Sequence, residues 1–196
     1  MINIHKRNIV LLVGPSGVGK GTIEKILFES KTLKLSLSRS ATTRKKREGE
    51  INGIHYFFIS KEEFESKIEN DEFMEWNEHF DNYYGTLLSE ILLIFSQGRI
   101  PVLEVETYGA KKILQKYKDK KDFNWITIFV DPPSFEELEN RIIKRGTDTK
   151  EKIAIRMAKA KEELKDRDLF EFKITNHTPE QAAEEIEKII LKKTMG

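Results

Sequence analysis

The stretch from Val10 to Thr22 constrains this chain more than any other. Val10-Leu11-Leu12-Val13 is an apolar run, and Gly14-Pro15-Ser16-Gly17-Val18-Gly19-Lys20 matches G-x-x-x-x-G-K. Gly21-Thr22 then opens a helical pattern with Ile23, Ile26 and Leu27 on one face. A strand, a glycine-rich loop and a helix in that order predict a phosphate-binding loop, or P-loop. The residue types follow from the chemistry. Glycines let successive backbone N–H groups converge into an anion nest. The helix N-terminus adds partial positive charge, and Lys20 adds a full, mobile one. The pattern departs from the usual form at Gly21, where serine or threonine normally meets magnesium. Ser16 and Thr22 both stand as candidates for that hydroxyl.

Composition sets the outer bounds. A chain of 196 residues is long enough for one domain with a full core. A net charge of +1 argues against a nucleic-acid binder, so affinity for phosphate must come from local clusters. The absence of cysteine excludes disulfides and thiolate metal sites. The four histidines fall at no zinc spacing. Met1 to Asn8 lacks the apolar core of a signal peptide, and no apolar run approaches the roughly 20 residues needed to span a bilayer. The expectation is a cytoplasmic enzyme with no membrane or nucleic-acid partner, and either a monomer or a homodimer.

Beyond the loop, apolar strands alternate with amphipathic helices. Ile9–Val13, Pro101–Val105, Trp125–Val130 and Phe172–Thr175 read as strands, the first as a central one buried on both faces. Leu33, Leu35 and Leu37 suggest a further short strand. Helices are expected after Ser60, whose S-x-x-E spacing makes a capping box, and from Leu88, with Ile91, Leu92 and Phe95 inward. Others run from Thr107 to Tyr117, after a second capping box at Ser134, from about Thr149, and after Thr178-Pro179. Between the first helix and the one at Leu88 the pattern changes. Ser36 to Glu50 is rich in hydroxyls and cations, Asn52-Gly53 signals a hairpin turn, and His55–Ile59 reads as a strand. The basic run is either a solvated loop or a second phosphate site forked by Arg44 and Arg47. Glu75, between Met74 and Trp76, needs a partner in its apolar setting. Glu104 and Glu106 end a predicted strand, where open α/β sheets place their ligands. Arg141 and Arg145, spaced i, i+4, share a helix face, and Arg156 follows on the next helix.

These motifs, in this order, resemble the guanylate kinase family from the P-loop to Asn176. The resemblance rests on Ser40-Ala41-Thr42-Thr43-Arg44-Lys45-Lys46-Arg47, Gly49-Glu50, Gly53, Tyr56-Phe57-Phe58, Glu75-Trp76, Tyr83-Tyr84-Gly85-Thr86 and Arg141 to Thr147. It implies a three-layer α/β nucleotide kinase with a central parallel sheet, an inserted strand-rich GMP-binding subdomain and a helical lid. The implied division is core 1–37, 88–138 and 165–196, insert 38–87 and lid 139–164. The implied reaction moves the γ-phosphoryl group of ATP to GMP or dGMP, with Mg2+ carried by the nucleotide and reached through water by Thr22 or Glu104.

By the same resemblance Gly14, Pro15, Ser16, Gly17, Val18, Gly19, Lys20, Gly21, Thr22 and Asn176 bind ATP. Arg44, Arg47, Tyr56 and Tyr84 hold the GMP phosphate, and Ser40, Glu75, Thr86 and Glu106 face guanine. Lys20, Arg44, Arg141, Arg145 and Arg156 act on the transferring group. The chain departs from the family's usual pattern in having Glu104 and Glu106 for aspartates and Tyr108 for a frequent glutamine. Two alternatives are a phosphopeptide-binding module of the same fold and a kinase for another monophosphate. The intact loop and the lid arginines favour an enzyme, and Glu75 with T-T-R-x-x-R favours guanine.

Overall fold

The computed structural model describes residues 7–79, 81–117, 122–144, 146 and 149–195. In chain order the elements are β1 (Asn8–Val13), α1 (Lys20–Glu29), β2 (Leu35–Leu37), β3 (Ser40–Thr42), β4 (Phe57–Phe58) and α2 (Lys61–Glu69). Then follow β5 (Phe73–His79), β6 (Asn82–Leu87), α3 (Leu88–Ser96), β7 (Ile100–Glu104) and α4 (Thr107–Tyr117). The last are β8 (Asn124–Asp131), α5 (Phe135–Lys144), α6 (Lys150–Lys165), β9 (Phe172–Thr175) and α7 (Pro179–Met195).

Alternation within β1 explains the layering. Successive side chains of a strand point to opposite faces. Val10 and Leu12 enter one core cluster with Ile23, Leu27, Ala183 and Ile186 from α1 and α7. Ile9, Leu11 and Val13 enter another with Ile91 of α3 and Ala110 and Ile113 of α4. β1 is thus covered on both sides, and its sheet runs β2-β7-β1-β8-β9 with every pairing parallel. All five strands therefore end at the same edge, which carries the P-loop after β1 and Glu104 at the end of β7.

A second sheet, ordered β4-β3-β6-β5, is built from residues 40–87. It has its own small core of Ala41, Phe64, Phe73 and Leu87, with Phe64 stacked on Phe73 at 4.3 Å. Lys112 and Lys116 of α4 tie it to the main body by donating to the backbone carbonyls of Trp76 and Phe73 on the edge strand β5.

Several local expectations hold. Ser60, Ser134 and Thr178 each accept from the backbone N–H three residues on. Other expectations are corrected. The chain does not form a hairpin at Asn52-Gly53, because β4 runs parallel to β3. Asn52 Oδ1 instead accepts from Phe58 N at 2.8 Å and closes the loop on itself. That shortens the expected strand His55–Ile59 to Phe57–Phe58. The basic run is not wholly a loop either, since Ser40–Thr42 is an inner strand with Ala41 and Thr42 fully buried. Leu92 is not inward but 49% exposed. The buried arc of α3 passes through Glu90, Ile91 and Ile94, and Leu92, about 100° beyond Ile91, falls on the exposed side. Glu90 takes the inward place because Arg39 Nε meets its carboxylate at 2.6 Å.

Candidate active site

The loop from Gly14 to Gly19 is held in shape by its neighbours. A side chain at Gly19, which has φ 104°, would place Cβ 2.6 Å from the Asn176 amide nitrogen. That nitrogen instead donates to Val18 O at 2.7 Å. Asn176 is buried, and its Oδ1 has no partner among the described residues. Arg141 of α5 donates to Val18 O and Asn176 O at 3.3 and 3.1 Å, and pairs with Glu137 at 3.0 Å. Arg156 of α6 donates to Ser16 Oγ at 3.2 Å, while Glu163 of the same helix accepts from the Ser16 backbone N–H. Lys20 Nζ meets Gly14 O at 2.6 Å. Burial pulls the Lys20 ammonium below its usual pKa, opposed by Glu104, Glu163, Glu24 and Glu106.

A second feature lies alongside. A cleft of about 260 Å³ is lined by Ser40, Tyr56, Glu75, Tyr84, Glu104 and Glu106, together with Asn77, Gly85 and Val105. Its walls are the second sheet and the carboxyl end of β7. The buried Glu75 carboxylate accepts from Thr86 Oγ1 at 2.9 Å and from the Thr86 backbone N–H, and burial pushes its pKa up. At the outer end Arg44 grips Glu50 with two nitrogens, at 3.0 and 2.8 Å. The Arg44 guanidinium lies 5.6 Å from the centroid of the Tyr56 ring, with Tyr84 beside it. Glu50 also accepts from Arg47 N at 2.7 Å. Arg44 and that N–H together hold the Glu50 carboxyl down at about 2. Glu104 lines the cleft and is also a charge neighbour of Lys20, so the P-loop and the cleft share a wall.

A buried carboxylate, an arginine fork with tyrosines and the glycine-rich loop with Lys20 thus lie side by side. Comparison with known proteins narrows their role. The family model described as guanylate kinase matches residues 6–193. A guanylate kinase of Mesomycoplasma hyopneumoniae is 52% identical over 192 residues, covering 97% of this chain and 98% of the relative.

The chain belongs to the guanylate kinase family.

A guanylate kinase of Mycoplasmopsis synoviae is 51% identical over 193 residues, 97% of this chain and 98% of that one. In structure, the guanylate kinase of Anaplasma phagocytophilum aligns with a TM-score of 0.74 at 27% identity, over 98% of this chain and 88% of that one.

Within this guanylate kinase fold, Ser40, Tyr56, Glu75, Tyr84 and Glu106 meet in one cleft, with Thr86 bonded to Glu75. Arg44 closes the outer end, and Arg47 is exposed beside it. Arg141, Arg156 and Asn176 stand against the P-loop. Arg145 lies outside the described residues. The Glu106 carboxylate is engaged by Lys159 of α6 at 2.7 Å.

Sequence reasoning missed Glu24, Lys159 and Glu163, and it named Glu50 within a motif without its grip on Arg44. Glu24 had a readable signal, since a carboxylate four residues after Lys20 shares its helix face. It is 5% exposed, with the Glu104 carboxylate as a close charge neighbour. Burial, then the Glu104 charge, push the Glu24 carboxyl up from 4.5 to about 8, against the pull of Lys20. The folded protein therefore holds a proton that the unfolded chain releases, and this contribution to stability is lost as pH rises from about 4.5 to about 8. Glu24→Gln keeps the side chain's shape and removes the titration. Melting curves at pH 6 and pH 8.5 check this: the parent should lose more Tm over that interval than the variant. Equal losses would mean that Glu24 ionises normally.

Proposed function

We propose that this chain is an ATP:GMP phosphotransferase, making ADP and GDP, with dGMP as a second acceptor. One observation carries the reading: the buried Glu75–Thr86 pair forms the floor of a cleft that shares the Glu104 wall with the Lys20 loop. Guanine presents N1–H and N2–H donors side by side, which a carboxylate accepts together. Adenine has no N1–H and would leave the buried Glu75 unpaired, the costly kind of mismatch. Ser40, Thr86 and Glu106 complete the guanine end, with Glu106 exchanging Lys159 for the base.

At the other end of the cleft, Arg44, Arg47, Tyr56 and Tyr84 take the GMP phosphate. Glu50 keeps the Arg44 fork oriented for it. Gly14 to Thr22 hold the ATP phosphates through backbone N–H groups and Lys20. Asn176 supports that loop from beneath, at the adenine side of the ATP site. A GMP phosphate oxygen attacks the γ-phosphorus in line. The bond from the γ-phosphorus to the bridging oxygen breaks, and the electron pair leaves with ADP. The attacking oxygen is already anionic, so no general base is required. The protein supplies alignment and positive charge, the latter from Lys20, Arg141, Arg145 and Arg156.

Thr22, exposed in the first turn of α1, and Glu104 offer hard oxygen donors of the kind Mg2+ takes directly or through water. Bound with nucleotide, the ion would neutralise charge on the transferring phosphates. No helix among the described residues is long and apolar enough to cross a membrane.

Phosphorus NMR of the protein with Mg-ATP and GMP tests the reaction. ADP and GDP signals should grow together as ATP and GMP fall. Unchanged spectra would overturn the assignment, and phosphopeptide binding through Arg44 and Arg47 would replace it.

A further inference from the structure

We infer that Gly109, in the first turn of α4, is a specificity-positioning residue: its lack of a side chain lets the Glu75 carboxylate dock where guanine can be read. This rests on the guanine reading of Glu75.

The geometry is specific. A Cβ built on Gly109 would lie 2.9 Å from Glu75 Oε2 and 3.4 Å from its carboxyl carbon. The next neighbour, Val105 Cβ, is 3.7 Å away, an ordinary contact. Gly109 is buried within α4, and its backbone does not adopt a positive φ. No backbone strain therefore calls for glycine here. Helix propensity argues against it, because alanine is a better helix former than glycine. What glycine provides is room for the end of one carboxylate.

Glu75 is held from the opposite side by Thr86, through Oγ1 at 2.9 Å and through its backbone N–H. A β-bulge between Phe73 and Glu75 shifts the register of β5 against β6 and aims the carboxylate at α4. The carboxylate is thus clamped between a hydrogen-bonding strand and a helix that has no side chain at the point of contact. It also lies at the first turn of that helix, where backbone partial charge favours an anion.

Adding one methyl group at 109 therefore has an unusual expected outcome. The clashing atom is the end of a flexible side chain, so the fold accommodates it by turning the Glu75 carboxylate aside. The protein stays folded and the base-reading geometry is lost.

The test is a double-variant cycle on Gly109→Ala and Glu75→Gln, read by KM for GMP, KM for ATP and Tm. Gly109→Ala alone should raise KM for GMP roughly tenfold, the scale of one misplaced hydrogen bond to a charged group, with KM for ATP within about twofold and Tm unchanged or higher. In the Glu75→Gln background the same change should have little further effect, because the group it acts through has already been altered. Independent effects that multiply in the double variant would overturn the inference, as would an unchanged KM for GMP in Gly109→Ala. So would a fall in Tm with both KM values rising together, which marks general disruption of α4. The underlying reading fails separately, if Glu75→Gln alone leaves KM for GMP unchanged.

Discussion

Lys20→Met should lower kcat about a thousandfold while leaving the protein at least as stable as the parent. Both halves follow from where the ammonium sits. Lys20 Nζ is placed against Gly14 O, inside the loop that would carry the ATP phosphates. Preorganised charge at such a position is worth most in the transition state, when negative charge moves between the two phosphates. The same placement is unfavourable for the empty protein. Burial pulls the Lys20 pKa down, so part of the cation's hydration is lost without full compensation from Glu104, Glu163 and Glu24. Methionine fills a similar volume without charge. Steady-state kinetics at saturating ATP and GMP, with melting curves alongside, check both statements. A large loss of kcat with a large fall in Tm would instead make Lys20 a structural support of the loop.

Glu75→Gln should lower kcat/KM for GMP by at least about 100-fold and leave ATP affinity nearly unchanged. Glutamine turns a double acceptor into one acceptor and one donor, so one of the two guanine N–H groups meets a donor in a dry site. The raised Glu75 pKa adds a pH signature. GMP needs the ionised carboxylate, so GMP affinity should begin to fall, as pH is lowered, earlier than it would for an ordinary glutamate. The part of that dependence owed to Glu75 should vanish in the glutamine variant, leaving only the titration of the GMP phosphate at about pH 6. Titration calorimetry with GMP at several pH values, for parent and variant, measures both effects. Identical pH profiles for parent and Glu75→Gln would place the titrating group elsewhere.

The sequence carried the P-loop, the parallel sheet and most of the cleft for a physical reason. Each depends on local pattern: glycine spacing for the loop, apolar runs for β1 and β8, and capping residues for α2, α5 and α7. The failures are where distant partners decide. The bulge in β5 breaks the two-residue alternation, so a strand that holds Glu75 read as an apolar patch. Ser40–Thr42 read as part of a basic loop because its strand character comes from pairing with β4 and β6. Leu92 looked inward because it is apolar, but Glu90 belongs to the buried arc instead, a place that its distant partner Arg39 makes tolerable. Glu163 and Lys159 reach the P-loop and Glu106 only through the path of α6, which no spacing in the chain predicts. The arginines of α5 and α6 were legible as cations, but their present engagement with Val18, Asn176 and Ser16 was not.

The central claim is that the Glu75–Thr86 floor selects guanine beside a working P-loop. The most direct measurement is kcat/KM for phosphoryl transfer from Mg-ATP to GMP, dGMP, AMP, UMP and CMP, with Lys20→Ala as control. The structure predicts turnover with GMP and dGMP that is lost in the control, and negligible turnover with the other three. Comparable rates with AMP and GMP, or no turnover with any acceptor, would contradict it.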